Sequence, residues 1–349
     1  MIVVTGAAGF IGRNTIDHLY SSGIERIVAV DTQGGLERFT TTKVDVSIKT
    51  LDQISFIKRL EAGEYRGKIE LIYHFGAITD TLVRDENIIL DYNFNYSKRL
   101  LKYCVANHVR LIYASSASVY GNQIRLKEGE VGTRALNVYA HYKSQFDLCV
   151  IKVLSEDKYA QVVGLRYFNV YGSGEVHKGR MASMVHQLFQ QYIASGSVSL
   201  FGASHGCVAG EQRRDFVYID DVIAVNEYFL SNQEISGIYN IGTGSSRSFN
   251  EVAAEVVNYC RSQLGQSDRS IDQLVADGGI HYRPFPRELE RHYQYHTEAN
   301  IESLRESGFC HEFCQLDEGV KRFGQILQGS EKLTRASNNP IDPMVAAQA

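Results

Sequence analysis

The sequence predicts an α/β protein in which a Rossmann-type, doubly wound parallel sheet carries a smaller, discontinuous α/β lobe. Three observations predict it. Short β-branched runs alternate with helical patterns through the first half of the chain. The first run ends in the turn Gly6-Ala7-Ala8-Gly9-Phe10-Ile11-Gly12. The second ends in an acid, Asp31, 19 positions after Gly12. Repeated strand-then-helix order is what parallel strands joined by crossover helices leave in a sequence.

Taken in order, residues 2–5 form a strand and 9–22 a helix; 26–31 form a second strand, and 49–62 read as helical. A third strand over 69–74 leads to helical spacing over 93–107. A fourth over 110–115 precedes a long helix over 137–154, and 160–166 is another strand. Beyond Asn169 the pattern loosens. Strand-like pieces recur at 215–218 and 238–241, and helical stretches at 181–194, 248–264 and 316–327. The expected division is a Rossmann domain over 1–169 with about 213–244, and a lobe over about 170–212 and 245–329. The tail 330–349 holds two of the four prolines and no periodic pattern, so loose order is expected there.

Composition narrows the function classes. A chain of 349 residues is long for one domain and short for three. Its formal charge of −4 gives no footprint for nucleic acid or an anionic membrane, so any phosphate recognition must be local. No run approaches the ~18 apolar residues of a membrane helix, and no basic-then-apolar leader opens the chain. A cytoplasmic protein is expected. The six cysteines are scattered, which fits free thiols. Cys310-His311 and Cys314 have no second pair at ligand spacing, so no metal is expected.

Gly6, Gly9 and Gly12, with Phe10 and Ile11 between them, lie where a strand turns into a helix. Glycines let backbone approach a pyrophosphate there, and the helix N-terminus offers free N–H groups. Asp31, followed by Thr32, stands where an acid can hold the adenosine ribose of a dinucleotide. Asp31 favours NAD, because it repels a 2′-phosphate. Arg38 and Lys43 follow it and could receive that phosphate. Charge alone leaves NAD and NADP open. Phe75, Gly76, Ala77, Ile78 and Thr79 after the third strand, and Asn93 beyond them, suit the same crevice and equally suit turn and cap roles.

Tyr139 and Lys143 are four residues apart on one helix and share a face. A free tyrosine, with a pKa of ~10, is a poor base at neutral pH. A neighbouring ammonium and a nicotinamide cation favour its phenolate. Lys143 can also bind the nicotinamide ribose. Ser116, in Ala114-Ser115-Ser116-Ala117-Ser118, ends the fourth strand, where its hydroxyl can orient a reacting oxygen. Singly, Tyr139 and Lys143 read as a core tyrosine and a solvated helix lysine; with Ser116 and the glycine turn they read as an oxidoreductive site.

With these motifs the chain resembles the extended short-chain dehydrogenase/reductases that act on nucleotide sugars, and within them the ADP-heptose 6-epimerase family. The resemblance runs from Met1 to about Leu327. It is carried by Asn93-Phe94-Asn95-Tyr96-Ser97-Lys98, by Arg166-Tyr167-Phe168-Asn169-Val170-Tyr171-Gly172, by His177-Lys178-Gly179-Arg180-Met181-Ala182-Ser183, by Arg214-Asp215-Phe216-Val217-Tyr218 and by Tyr293-Gln294.

The resemblance implies inversion at C6″ of an ADP-heptose, a precursor of lipopolysaccharide core, through a transient 6″-ketone. Tyr139 and Lys178 are then the two acid/base groups. It implies NADP as the usual cofactor, with Arg38 at a position suited to a cation. Phe75, Gly76, Ala77, Ile78, Thr79, Asn93, Val170 and Lys178 would line that cofactor. Ser116, Asn169, Arg180, Gln187, Phe201, Gly202, Ala203, Ser204, Arg214 and Tyr293 would meet the ADP-sugar, and a homo-oligomer, often a pentamer, is implied.

Two substrate positions depart from the family pattern. Arg180 replaces a small hydroxyl residue and Gln187 a common histidine, and 205–213 is a longer loop than expected. Arg214, suited to a diphosphate, has an ordinary alternative in an ion pair with Asp215 or Glu211. The rival readings are a UDP-hexose 4-epimerase, which has no need of Lys178, and a non-catalytic NADP-binding protein, which would not need Ser116, Tyr139 and Lys143. A 4,6-dehydratase needs an Asp-Glu pair where this chain has Ala117-Ser118.

Overall fold

The computed structural model describes residues 1–39, 48–79, 85–122, 126, 128, 135–287, 289–290 and 293–329. Lys43 and the tail 330–349 lie outside them. The main sheet has seven parallel strands: β1 (Ile2–Thr5), β2 (Ile27–Asp31), β3 (Lys49–Asp52), β4 (Leu71–His74), β5 (Arg110–Ser116), β6 (Val162–Tyr167) and, at one edge, β10 (Gly237–Ile241). Their spatial order is β3-β2-β1-β4-β5-β6-β10. The order reverses between β1 and β4, and ligands bind beyond the carboxyl ends of strands at such a switch point.

Strands covered on both faces read as unbroken apolar runs. Ile2, Val3, Val4, Leu71 and Ile72 are all buried. Val3 and Ile72 join a core with Phe56, Leu100 and Phe146 on one face, while Val4 and Leu71 join a larger core on the other. The first face is covered by α3 (Gln53–Glu61), α5 (Tyr96–Ala106) and α6 (Val138–Glu156), and the second by α1 (Phe10–Ser21) packed on α8 (Ile219–Ser231). The short α2 (Gln33–Arg38) follows β2, and α4 (Glu86–Ile89) precedes α5.

Smaller sheets lie outside this frame. β7 (Asn169–Tyr171) and β11 (Ser246–Ser248) flank β9 (Arg213–Tyr218), and β8 (Val198–Phe201) pairs with β12 (Ile280–Arg283). Helices α7 (Met184–Ser195), α9 (Phe249–Gln263) and α12 (Leu316–Gly329) pack on one another, with α10 (Ile271–Ala276) and α11 (Glu302–Glu306) at the side. Of the segment 213–244 expected to return to the main domain, α8 and β10 do so, while β9 runs in the three-stranded sheet.

The span 49–62 is not one helix. Lys49–Asp52 extends the sheet, with Val28 opposite Lys49 and Asp31 opposite Asp52. Asp52 then caps α3, its Oδ1 accepting from the N–H groups of Ile54 (3.1 Å) and Ser55 (2.9 Å). An edge strand with exposed Lys49 and Thr50 has no apolar alternation to betray it. Residues 93–107 also differ: the helix starts at Glu86 and passes through a π turn, Leu90–Asn95, before α5. Such turns concentrate at functional sites. Among the described residues, no helix is long and apolar enough to cross a membrane.

Candidate active site

A cavity of about 770 Å³ opens at the switch point. Gly6, Gly9, Phe10, Ile11 and Gly12 line it after β1, Asp31 and Thr32 after β2, Phe75 to Thr79 after β4, and Ser116 after β5. Tyr139 and Lys143 line it from α6, and Asn169, Val170, Lys178 and Arg214 from the outer elements. Sequence separations of more than 200 residues thus collapse into one site.

The glycine turn makes a cradle that side chains would fill. Gly6 has φ +70°, and a Cβ there would lie 2.5 Å from the N of Gly76. A Cβ at Gly12 would lie 2.2 Å from the Gly6 oxygen. The N-cap of α1, Gly9, has no side-chain partner for the first N–H groups. Bare N–H groups at a helix start facing an open cradle suit a pyrophosphate. Asp31 supports the turn directly: its Oδ2 accepts from Ala8 N (2.8 Å) and its Oδ1 from Thr32 N (2.7 Å). Arg38 lines the same end, and so does Gln53. The sequence reading missed Gln53. The register that pairs Asp31 with Asp52 puts it beside Asp31, a signal hidden by reading 49–62 as one helix. This donor set and cradle fit a dinucleotide.

On α6, Asn137 caps the helix by accepting from Ala140 N (2.8 Å), which places Tyr139 in the first turn. Lys143 is 3% exposed and donates to the Ala114 oxygen at 2.7 Å. Burial lowers its pKa to about 8, against the opposing pull of Asp147. Burial pushes the Tyr139 phenol up to about 12; a hydrogen bond with Ser116 pulls it down and the Asp147 charge adds to the rise. The Lys143 amine lies 5.9 Å from the Tyr139 ring centroid. Of the two cations expected to favour the phenolate, Lys143 is not among the groups that set the Tyr139 pKa here, which leaves that role to the nicotinamide. Asp147 is spent elsewhere. It accepts from Tyr113 (2.8 Å), Ser115 (3.0 Å) and Arg166 (2.8 Å), all away from solvent.

Lys178 enters from a 3₁₀ turn, Val176–Met181, and sits 5.6 Å from the Phe10 ring centroid. Burial lowers its pKa and Glu175 opposes that. Arg214 is buried between Tyr293 and Phe249, 4.9 and 5.8 Å from the two ring centroids. Its Nη1 donates to the Arg213 oxygen at 2.8 Å. Asp215 accepts from Thr243 N (2.7 Å), Gly244 N (2.9 Å) and Ala299 N (3.1 Å), and Glu211 from Asn250 (2.7 Å).

Several expected contacts fall elsewhere. Gln187 is fully buried on α7, and its amide donates to the oxygens of Arg180 (3.0 Å) and Ala182 (2.9 Å). It shapes the loop rather than lining the cavity. Asn93 is 1% exposed and clasps Ile78, accepting from its N (2.8 Å) and donating to its O (2.9 Å). It fixes the loop that faces the cavity instead of facing it. Arg180, Phe201, Gly202, Ala203, Ser204 and Tyr293 lie outside the cavity lining. Phe201 and Tyr293 instead pack on Phe285, each at a centroid distance of 5.0 Å. His311 Nε2 meets Asp221 Oδ1 at 2.8 Å, and among the described residues no group of three or more His, Cys, Asp or Glu is placed to hold a metal ion.

Behind the clasp lies His74, which the sequence reading did not single out. Ser97 Oγ donates to the Asn93 oxygen (2.7 Å), so it accepts from His74 Nε2 (2.7 Å). Nδ1 is then bare and accepts from Thr5 Oγ1 (2.7 Å). Burial, helped by the Lys143 charge, lowers the imidazole pKa to about 3. A neutral histidine thus ties β1, β4 and α5 together beneath the cavity.

The fold and this site together define a nucleotide-sugar-type epimerase or dehydratase. The model of the NAD dependent epimerase/dehydratase family matches residues 2–242, and the chain belongs to that family. Its cofactor is a nicotinamide dinucleotide. An ADP-L-glycero-D-manno-heptose-6-epimerase of Cupriavidus pinatubonensis is 44% identical over 93% of this chain and 98% of that protein. One of Thiobacillus denitrificans is 43% identical over 92% and 96%. Among solved structures, an ADP-L-glycero-D-manno-heptose-6-epimerase of Helicobacter pylori is similar with a TM-score of 0.72 and 29% identity, over 94% of this chain and 96% of that one.

Proposed function

We propose that the protein interconverts the C6″ epimers of an ADP-glycero-manno-heptose with NADP, acting as an isomerase. The observation that carries this reading is the two-sided cavity. Tyr139, Lys143 and Ser116 stand on one wall and Lys178 comes from a different element. Inversion at a carbon outside the sugar ring needs two proton-transfer groups in different places and a single hydride carrier. High identity to two heptose epimerases over nearly the whole chain favours it over a UDP-hexose 4-epimerase.

Tyr139 takes the proton of one epimer's C6″ hydroxyl, while Ser116 holds that oxygen. A nicotinamide held in this cradle would supply the hydride acceptor and donor for C6″, and its cationic form would favour ionisation of the Tyr139 phenol. The exocyclic group of the 6″-ketone rotates, and Lys178 protonates the oxygen on the other side. Gly6, Gly9, Phe10, Ile11 and Gly12 would hold the pyrophosphate, Asp31, Thr32 and Arg38 the adenosine ribose and its 2′-phosphate, and Lys143 the nicotinamide ribose. Phe75 to Thr79 and Val170 would flank the ring. Arg214 would meet the sugar diphosphate and Asn169 the sugar. The same reading assigns elements 170–212 and 245–329 to the substrate lobe, and it makes the protein a cytoplasmic homo-oligomer.

Incubation with a panel of ADP- and UDP-sugars, followed by stereochemical analysis at C6″, tests this. Inversion of the ADP-heptose with no net formation of reduced cofactor is the expected result. Inversion of a UDP-hexose at C4 instead would overturn it.

A further inference from the structure

We propose that Glu175 is a positioning residue for Lys178: a buried carboxylate that fixes the loop carrying the amine and sets a negative charge behind it. This rests on reading Lys178 as the second proton-transfer group.

Glu175 is fully buried. Its Oε1 accepts from Gly172 N (3.1 Å) and Ser183 Oγ (2.8 Å), and its Oε2 from Ser183 N. Its backbone oxygen accepts from Lys178 N at 2.9 Å. One side chain therefore ties the end of β7 to the N-cap of α7, and Lys178 sits on the turn strung between them. Ser183, released from none of this, still caps α7 by accepting from His186 N at 3.1 Å.

Three neutral donors occupy both carboxylate oxygens. Burying a carboxylate is costly unless its charge is used. Lys178 is bound to Glu175 through the backbone of the same turn, and the opposite charges of the two side chains offset each other's burial. The other titratable groups around Lys178 are His177 beside it and His186 from α7, and burial holds both toward the neutral form. Lys178 must be protonated to deliver a proton to the ketone oxygen and neutral to take one from the hydroxyl. A fixed negative charge nearby raises its proton affinity, so that both forms are reachable near neutral pH.

Glu175→Gln removes the charge and also some of the loop bonds, since its one amide oxygen cannot replace both carboxylate oxygens; the displacement of the pH limb reads the charge and the epimer-independent loss reads the scaffold. The measurement is single-turnover formation of reduced cofactor from each C6″ epimer separately, across pH, on holoenzyme. In this oxidation Lys178 acts as the base, so for the epimer it serves we expect the pH limb below which the rate falls to move down by roughly one pH unit. The epimer served by Tyr139 should stay within about twofold of wild type. Equal loss for both epimers, or an unmoved limb, makes Glu175 a loop staple and overturns the assignment. Glu175→Asp keeps the charge and should leave the limb in place; a limb displaced as in the Gln variant overturns the assignment too, and this arm suffices if the Gln variant does not fold. Lys178→Met is run in parallel. If it turns over both epimers normally, the parent reading fails and this inference with it; if Lys178→Met fails on one epimer while Glu175→Gln is silent, this inference alone fails.

Discussion

The two walls of the cavity are built differently. Tyr139 and Lys143 stand on a helix of 19 residues whose spacing alone puts them on one face. Lys178 stands on a turn of six residues, kinked at Gly179, whose flanks Glu175 joins through Gly172 and Ser183 and whose Arg180 oxygen accepts from Gln187. Regular structure supplies the first geometry from backbone periodicity. The second exists only after distant packing is complete. The contrast teaches that one wall is set locally and is rigid, while the other can be tuned through groups that never touch a substrate.

The sharpest break of this comparison is a pair of variants. Tyr139→Phe should lower interconversion by about 10³-fold or more, and Lys178→Met by roughly 10²- to 10³-fold, with cofactor still bound in both. Oxidation of separate C6″ epimers should show opposite defects, each variant losing the epimer that its wall serves. Identical defects in stopped-flow formation of reduced cofactor would mean that one wall does all the proton transfer.

A second variant tests the local wall's floor. Gly12→Ala sets a methyl 2.2 Å from the Gly6 oxygen, so the cradle must open. The expected effect is at least ~10-fold weaker cofactor binding, with a stability loss of about 1–3 kcal/mol. Titration calorimetry and thermal melts measure both. Unchanged affinity would move the pyrophosphate away from this turn.

The same division governs what was legible in the sequence. The glycine turn, Asp31, Ser116, Tyr139 and Lys143 carry their meaning within short windows, because each sits where a strand ends or a helix repeats. The parallel sheet followed from short β-branched runs alternating with helical patterns. β3 did not, since an edge strand of Lys49, Thr50, Leu51 and Asp52 lacks that signal. Gln187 did carry a signal that went unused: it shares the inward face of α7 with Met184 and Leu188, so burial was written in its spacing. Phe201, Phe285, Tyr293 and Tyr295 form one aromatic cluster from separated segments, and no local pattern announces such a meeting.

The smallest expected effect belongs to His74, which supports the cofactor-facing loop from below. His74→Gln keeps a donor and an acceptor but cannot span Thr5 and Ser97 with the same geometry. Leaving one buried partner unsatisfied costs about 1–3 kcal/mol at neutral pH. Because Asn93 and Ile78 lose their backing, the KM for cofactor should rise about threefold to tenfold while kcat changes little. Acid sharpens the test. The folded-state pKa is depressed to about 3 from 6.5, so the folded protein binds fewer protons than the unfolded chain in between. The stability that His74 provides is fully present above pH 6.5 and drains away as pH falls toward 3. The melting temperatures of wild type and variant should therefore converge on acidification. Parallel curves would show that the imidazole is not buried neutral, and that the floor of this wall is held by Asn93 alone.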